Sequence, residues 1–593
     1  MKPCSYSIRV GALVFLLASL PIPRAFSQTA PSSKTPAPQA DASYEQGMAA
    51  INRGDLQSAR AAFEHAVKLA PESPEAHNSL AWVLLQQGHA PEAVDQLMIA
   101  IKLQPKFLLA HINLANALVR LRDLAGAEAE ARITTTLEAG SAEAHRTLGR
   151  VLSFRGDVPG AIAEMARAVE LEPARPELHD EYGSLLVQAS QNEKAAEQFS
   201  EAIRLSPEFG QAKLHLGLIR WQQHQLDQAQ PLLESAAALL RDSAQARYYL
   251  ARVLEDQGDR AGAVRELQTA VRLQPDWPEA QTRLGLLLQR QNDVEGAMKA
   301  LRRVTELQPD NADAHNNLGL AMVQAGRAAQ SVSEFEAALK LRPEDAEYRA
   351  NLGTAYLQQA DFDTAIAQFQ TALKSRPDDA TLHYNLGLAL KLKDHLPEAL
   401  AELRKAEELD PSQPDIHYTL GVTLWQQGSF EDSVKELRAA ISARSDYAEA
   451  YYTLGTVLKQ QGKLQESAAA LREAIRLQPD FAGAHTTLAS VLRALGDNDG
   501  ASAEARLGQQ IGKEKTGQQA AVLATSSGRR LLDAGDVDGA ITQFRSAISS
   551  SPNYAQAHYL LAIALGRKGE KEESSKEFRK ASELDPQLAP PTS

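Results

Sequence analysis

Histidine is the first residue type here whose spacing could do chemistry. Nine of the fourteen histidines keep one phase: His77, His111, His145, His179, His315, His383, His417 and His485 are separated by multiples of 34 residues, and His558 follows after a five-residue shift. Imidazole is a common zinc ligand, but zinc holds its nitrogens at about 2.0–2.1 Å. Positions one period apart lie on helices packed roughly 8–10 Å apart. Histidines of neighbouring periods therefore do not share an ion, and the row reads as structural, with no metal or other cofactor expected. The segment Gly508–Glu514 (GQQIGKE) has two glycines and a lysine. It falls one residue short of a phosphate-binding loop and carries Glu where Ser or Thr must meet magnesium. No zinc-protease histidine pair or nucleophile elbow is present, and the single cysteine is Cys4. These residues make no catalytic set, so the chain is not expected to be an enzyme.

Residues suited to binding recur in the same phase. Asn113, Asn317, Asn351 and Asn385 share one slot, continued by Thr419, Thr453 and Thr487 and interrupted by Glu181, His215, Tyr249 and Arg283. A side-chain amide offers a donor and an acceptor to any peptide bond, whatever its sequence. Tyr384, Tyr418 and Tyr452 occupy the preceding slot in three successive periods, and Trp425 lies on the same helical side. Such aromatics form either a binding platform of the kind that anchors interfaces or packing between helices.

These rows are positioned by a 34-residue unit, clearest in Ala346–Asp379, where Leu352, Gly353, Tyr356, Ala365, Phe369, Ala372 and Pro377 mark fixed offsets. Stepping by 34 from Pro377 reaches Pro343, Pro309 and Pro275 upstream and Pro411 downstream. With Ala346 as position 1, position 8 is Gly or Ala and position 20 is Ala or Ser in all sixteen units. Gly in a helix costs about 1 kcal/mol relative to Ala, so its retention implies close helix–helix approach. Each unit reads as helix A, a turn and helix B, with Gly88, Gly156, Gly258, Gly326, Gly428 or Gly462 in the turn. Acidic residues recur at position 2, where they favour the helix N-terminus. On helix A, positions 4, 7, 8 and 11 share a small or apolar side and pack. Positions 2, 5, 9 and 12, flanked by 6 and 13, face away.

This pattern resembles the tetratricopeptide repeat (TPR) family. The resemblance implies an all-α fold: a TPR α-solenoid, a right-handed superhelix of about sixteen helix–turn–helix repeats. It also implies that the outward face of the A helices lines a concave groove holding a peptide or protein. The asparagine row is similar to the ladder in the superhelical TPR region of O-linked N-acetylglucosamine transferases, whose amides clamp an extended peptide; their catalytic domain has no counterpart here. Another TPR subgroup grips C-terminal carboxylates through Lys at position 5, which no repeat of this chain has. The residues expected to line the groove are Asn113, Asn317, Asn351, Asn385, Tyr384, Tyr418, Tyr452 and Trp425. TPR proteins of polysaccharide export also look like this chain, which makes a carbohydrate ligand the alternative.

The organisation expected is a signal peptide at 1–27, a Pro/Ser/Thr-rich spacer at 28–39, fourteen repeats at 40–515, a frame-shifting insertion or hinge at 516–520, two repeats at 521–588 and a tail at 589–593. Lys2 and Arg9 precede the apolar run Val10–Leu20, and Ala25-Phe26-Ser27 offers a cleavage site before Gln28. The run is too short to span a membrane, which takes about 20 residues. The protein is therefore expected to be exported, periplasmic or secreted, and not membrane-spanning once the leader is removed. Cleavage would leave a mature chain without cysteine, hence without disulfides. The formal net charge of −13 opposes nucleic-acid binding, which depends on cationic neutralisation of phosphates.

Overall fold

The computed structural model describes residues 38–588. The signal-peptide region, all but the last two residues of the spacer, and the tail lie outside the described residues. Pro38 and Gln39, assigned to the spacer, open the first helix, Pro38–Asn52.

The described residues form thirty-one α-helices. They divide into two compact units between Leu307 and Gln308, each an α-solenoid of helix pairs. In repeat 10, helix A is Ala346–Gln358 and helix B is Phe362–Ser375. Helix A starts under a side-chain cap from Asp345, and helix B under one from Asp361. Such a cap satisfies amides that the first helical turn leaves unpaired. Asp55, Asp123, Asp157 and Asp259 cap B helices in the same way.

The turn between A and B passes through a left-handed residue in every repeat. Ten are glycines, and the other six are Arg122, Ser190, His224, Asn292, Ala360 and Asp394. The turn is thus set by packing of the helix pair, and glycine only makes it easier to adopt.

Within a pair, position 8 of helix A meets position 24 of helix B. A Cβ added to Gly353 would stand 2.8 Å from the Phe369 ring. Phe63, Phe199, Phe335, Phe369 and Phe544 fill the same place in five repeats, are at most 1% exposed, and each faces a glycine. Where Ala562 faces Phe578, that ring is half-buried. In most repeats the close approach expected at position 8 is therefore an aromatic or Leu side chain laid over helix A; at Gly149 it is the helix-B backbone, with Ala161 O 3.2 Å from an added Cβ.

Thr516–Ala520 do not break the chain path. They lie within one helix, Asn498–Asp533, of 36 residues, which joins helix B of repeat 14 to helix A of repeat 15. Gly508 and Gly517 let this helix pass close to its neighbours. A Cβ at Gly508 would meet the Thr486 hydroxyl at 2.8 Å, and one at Gly517 would meet the Ser550 carbonyl at 2.3 Å. The extra residues are accommodated by helix extension, and the segment is a continuous strut where a hinge was an option. No helix among the described residues is long and apolar enough to cross a membrane.

Candidate functional site

The histidine row staples the repeats. Each of the nine sends Nε2 to the backbone carbonyl six residues earlier, at the end of the preceding repeat, as in His383 to Pro377 (2.9 Å) and His315 to Pro309 (3.1 Å). Nδ1 reaches the residue nineteen positions later, on helix B of the same repeat. That residue is Glu in seven cases, among them Glu130, Glu334 and Glu402, and Gln96 or Gln198 in the other two. A carbonyl only accepts, so Nε2 carries a hydrogen. A carboxylate also only accepts, so each His–Glu pair holds one further proton, on Nδ1 or on the carboxyl. Two replacements keep the bond to the preceding carbonyl: Gln281 donates to Pro275 (3.0 Å) and Arg349 to Pro343 (2.5 Å); Lys213 and Arg247 bond instead to Ser235 and Glu266 on helix B.

The A helices of successive repeats approach one another in each unit, and their outward side chains are joined at a spacing of 35, one repeat plus one residue. Asn113 Nδ2 donates to Asn78 Oδ1 (2.9 Å), and Asn351 Nδ2 donates to Asn316 Oδ1 (2.8 Å). Thr419 donates to the Tyr384 hydroxyl (3.4 Å), His215 Nδ1 lies 2.8 Å from Asp180, and Arg146 Nε donates to Glu181 (3.0 Å). Positions 5 and 6 thus make rungs between repeats. Asn113 is buried, whereas Asn317, Asn351 and Asn385 are half-buried. One N–H of Asn113 and one of Asn351 are committed to a rung; each amide keeps its oxygen and second N–H for another partner.

Arg146 is 3% exposed, between Glu181 and Glu143. Burial opposes the Glu181 charge, but Arg146 outweighs it and holds the carboxyl below the usual range, helped by Arg150 and Arg175.

The aromatic candidates sit between repeats and keep one edge exposed. Tyr384, Tyr418, Tyr452 and Trp425 are half-buried. Tyr384 packs near Leu420 and Leu424, and Tyr452 near Leu488. Trp425 Nε1 donates to Gln460 (2.7 Å), again at a spacing of 35. Tyr418 stacks on Tyr447 with centroids 5.0 Å apart. The Arg444 guanidinium lies 3.6 Å from the Tyr447 centroid and donates to Asp415 (2.5 Å), which also accepts from the Tyr447 hydroxyl (2.9 Å). Burial, with the Asp415 bond next, pushes the Tyr447 phenol well above its usual range. These residues, with Asp446 and Glu449, line an open pocket of about 470 Å³. Arg444 Nε is buried beside this pocket without a hydrogen-bond partner.

The other unit carries an aromatic–arginine cluster that sequence reasoning missed. Arg252 lies 4.7 Å from the Trp221 ring, Trp221 packs against Tyr249 (5.9 Å), and Tyr248 against Trp277 (4.6 Å). Trp221 stands at position 12, as Trp425 does, and that match was the available signal. Tyr249 and Arg252, at positions 6 and 9, belong to the same outward face.

A TPR family model, described as tetratricopeptide repeat, matches residues 44–106, 112–177, 183–226, 282–346, 350–414, 418–480 and 452–511, more than half of the chain. Related repeat models match 220–287, 528–569 and 555–588. A comparison with curated proteins finds no match. Among solved structures, the chain is similar to the Cut9–Hcn1 hetero-tetramer of APC/C, at 16% identity and a TM-score of 0.36, covering 89% of this chain and 97% of that one. It is also similar to MamA, at 24% identity and a TM-score of 0.27 over 28% of this chain and 96% of that one. YrrB, described as a TPR protein with an unusual peptide-binding site, matches at 22% identity and a TM-score of 0.28 over 32% of this chain and 97% of that one. The helix pairs, their 34-residue frame and the family model agree, and the chain belongs to the tetratricopeptide repeat family.

Proposed function

We propose that this protein is a non-enzymatic, exported scaffold that holds an extended peptide or a protein partner along the outward face of its A helices. The observation that carries this reading is the regular row of side-chain amides at position 6, whose members in successive repeats offer donors and acceptors to a peptide backbone. Aromatic–arginine clusters outside the row, at Trp221–Arg252 and Tyr418–Arg444, supply the anchors that concentrate binding energy. Affinity accumulates from many modest contacts along the repeats. The leader-like residues 1–27 support export and a periplasmic or secreted location.

Replacing Asn317, Asn351 and Asn385 together by Ala tests the row. Partner affinity falls at least tenfold while far-UV circular dichroism stays unchanged; unaltered affinity would refute the amide clamp. A carbohydrate ligand is the second reading, supported by the exposed edges of the same aromatics, on which sugar rings can stack. Glycan binding abolished by substituting Tyr384, Tyr418 and Tyr452 would establish it.

A further inference from the structure

One histidine staple differs from the rest. Position 28, near the end of helix B, carries residues such as Ile203, Leu373 and Ile441, and Glu407 is the only acidic residue there in sixteen repeats. Glu407 lies on Leu396–Leu409, helix B of repeat 11. It faces His417 on Pro414–Gln427 and Glu436 on Phe430–Ala443, the two helices of repeat 12. His417 Nδ1 is 2.9 Å from Glu436 Oε2 and 3.6 Å from Glu407 Oε1. All three donor atoms lie within 4.8 Å of one another.

We propose that Glu407, His417 and Glu436 form a binding site for one divalent transition-metal ion of the zinc class. Tetrahedral coordination with bonds of about 2.0 Å sets neighbouring donors about 3.3 Å apart, a separation these groups reach by small side-chain movements. The second imidazole nitrogen is already engaged: Nε2 donates to the Pro411 carbonyl at 3.0 Å. That bond keeps a hydrogen on Nε2, so an ion that displaces the proton shared by Nδ1 and Glu436 meets the Nδ1 lone pair, the arrangement typical of a metal-bound histidine. Spacing excluded a second histidine as co-ligand, but it places no limit on carboxylates from the two adjoining helices.

Charge favours a cation. The Glu407 and Glu436 carboxylates both face the imidazole of His417. The remaining charged neighbour is Lys435, 3.6 Å from the other Glu436 oxygen and pointing to solvent. Two carboxylates and a divalent ion sum to zero charge, which removes the cost of placing these groups together. One nitrogen and two carboxylates suit zinc, cobalt or nickel better than calcium or magnesium, which take six or more oxygens. The Glu407 side chain is 29% exposed, which leaves an entry path and room for a water as fourth ligand. A bound ion would clamp repeat 11 to repeat 12 beside Tyr418, the residue that follows His417.

The test is titration of the chelator-stripped full-length protein with Co²⁺, read by its visible d–d absorption, and with Zn²⁺ by calorimetry. The expected result is one equivalent with a tetrahedral cobalt spectrum. Glu407→Leu, which restores an apolar residue of the kind found in neighbouring repeats, and Glu407→Gln each weaken binding at least tenfold with helicity unchanged. Glu402→Leu, which breaks only the His383 staple, leaves the stoichiometry at one. Absence of stoichiometric binding in the unmodified protein, or binding by both Glu407 variants as tight as that of the unmodified protein, would overturn the proposal.

Discussion

Gly353→Ala probes the contact that sets the distance between helices A and B. The new methyl would sit 2.8 Å from Phe369 Cε1 and 3.0 Å from Cδ1 and Cζ, against about 3.5–4.0 Å for a relaxed carbon contact. Phe369 is fully buried, so the ring cannot swing out. Overpacking of this kind costs about 1–3 kcal/mol. Helix propensity returns about 1 kcal/mol, leaving a net loss of about 1 kcal/mol, or roughly a fivefold rise in local opening. Leucine crowds glycine as closely elsewhere, 2.6 Å at Gly455, but its branched end can change rotamer where a ring cannot, so with Phe369→Leu in place the penalty falls away. Ala81 faces Leu97 and Ala251 faces Leu267 natively, and both leucines are fully buried. Alanine at 353 is then neutral or stabilising by up to about 1 kcal/mol. Because repeats of a solenoid open locally, the assay is hydrogen exchange by mass spectrometry on Ala346–Gln358 and Phe362–Ser375 in the full-length chain. The four proteins form a double-mutant cycle with an expected coupling of about 1–2 kcal/mol. Equal effects of Gly353→Ala in both backgrounds would refute the argument that the ring requires glycine.

Other expectations follow from the same geometry. Ala360 is held at φ 58°, a left-handed conformation costing a non-glycine residue about 1–2 kcal/mol, so Ala360→Gly slows exchange in repeat 10. Slower exchange is the check, and no change would count against strain there. Glu181→Gln leaves the buried Arg146 with Glu143 as its carboxylate partner and destabilises repeats 4 and 5 by about 3 kcal/mol, within the range for broken buried pairs. Because the Glu181 pKa is depressed on folding, its contribution is complete above the ordinary glutamate value of about 4.3 and is lost as pH falls through the folded value. Acid titration of exchange in these repeats should show that loss in the unmodified protein and not in Glu181→Gln. Export predicts that N-terminal sequencing of the protein recovered from its native host starts at Gln28; a chain retaining Lys2 and Arg9 would contradict cleavage at this site.

Period and chemistry were legible to different depths. The 34-residue frame, the A–turn–B division and the small residue at position 8 all depend on local helix geometry and on one neighbouring helix, so a single repeat suffices to read them. The partner of position 8 was not read, because the Phe or Leu side chain laid over it lies sixteen residues away on the next helix. Glycine signalled only ten of the sixteen left-handed turns, since packing imposes the same backbone on Arg122 and Asp394. The rungs between positions 5 and 6 have a spacing of 35, and a reading slot by slot at 34 passes over them. The histidine row was seen, but its partners, nineteen residues ahead and six behind, come into reach only when both helices and the preceding turn are assembled. Thr516–Ala520 interrupt the frame without interrupting the helix, and frame alone does not distinguish an inserted loop from a lengthened helix.

The central claim is that the outward face of the A helices binds a partner. It is tested most directly by a photo-crosslinking residue at Tyr418 in the native host, with a second probe at the exposed Arg472 on a B helix as control. A dominant protein adduct formed from position 418 and absent from position 472 is the predicted result. The same diffuse products from both positions would contradict it and leave the tyrosine row to packing between repeats.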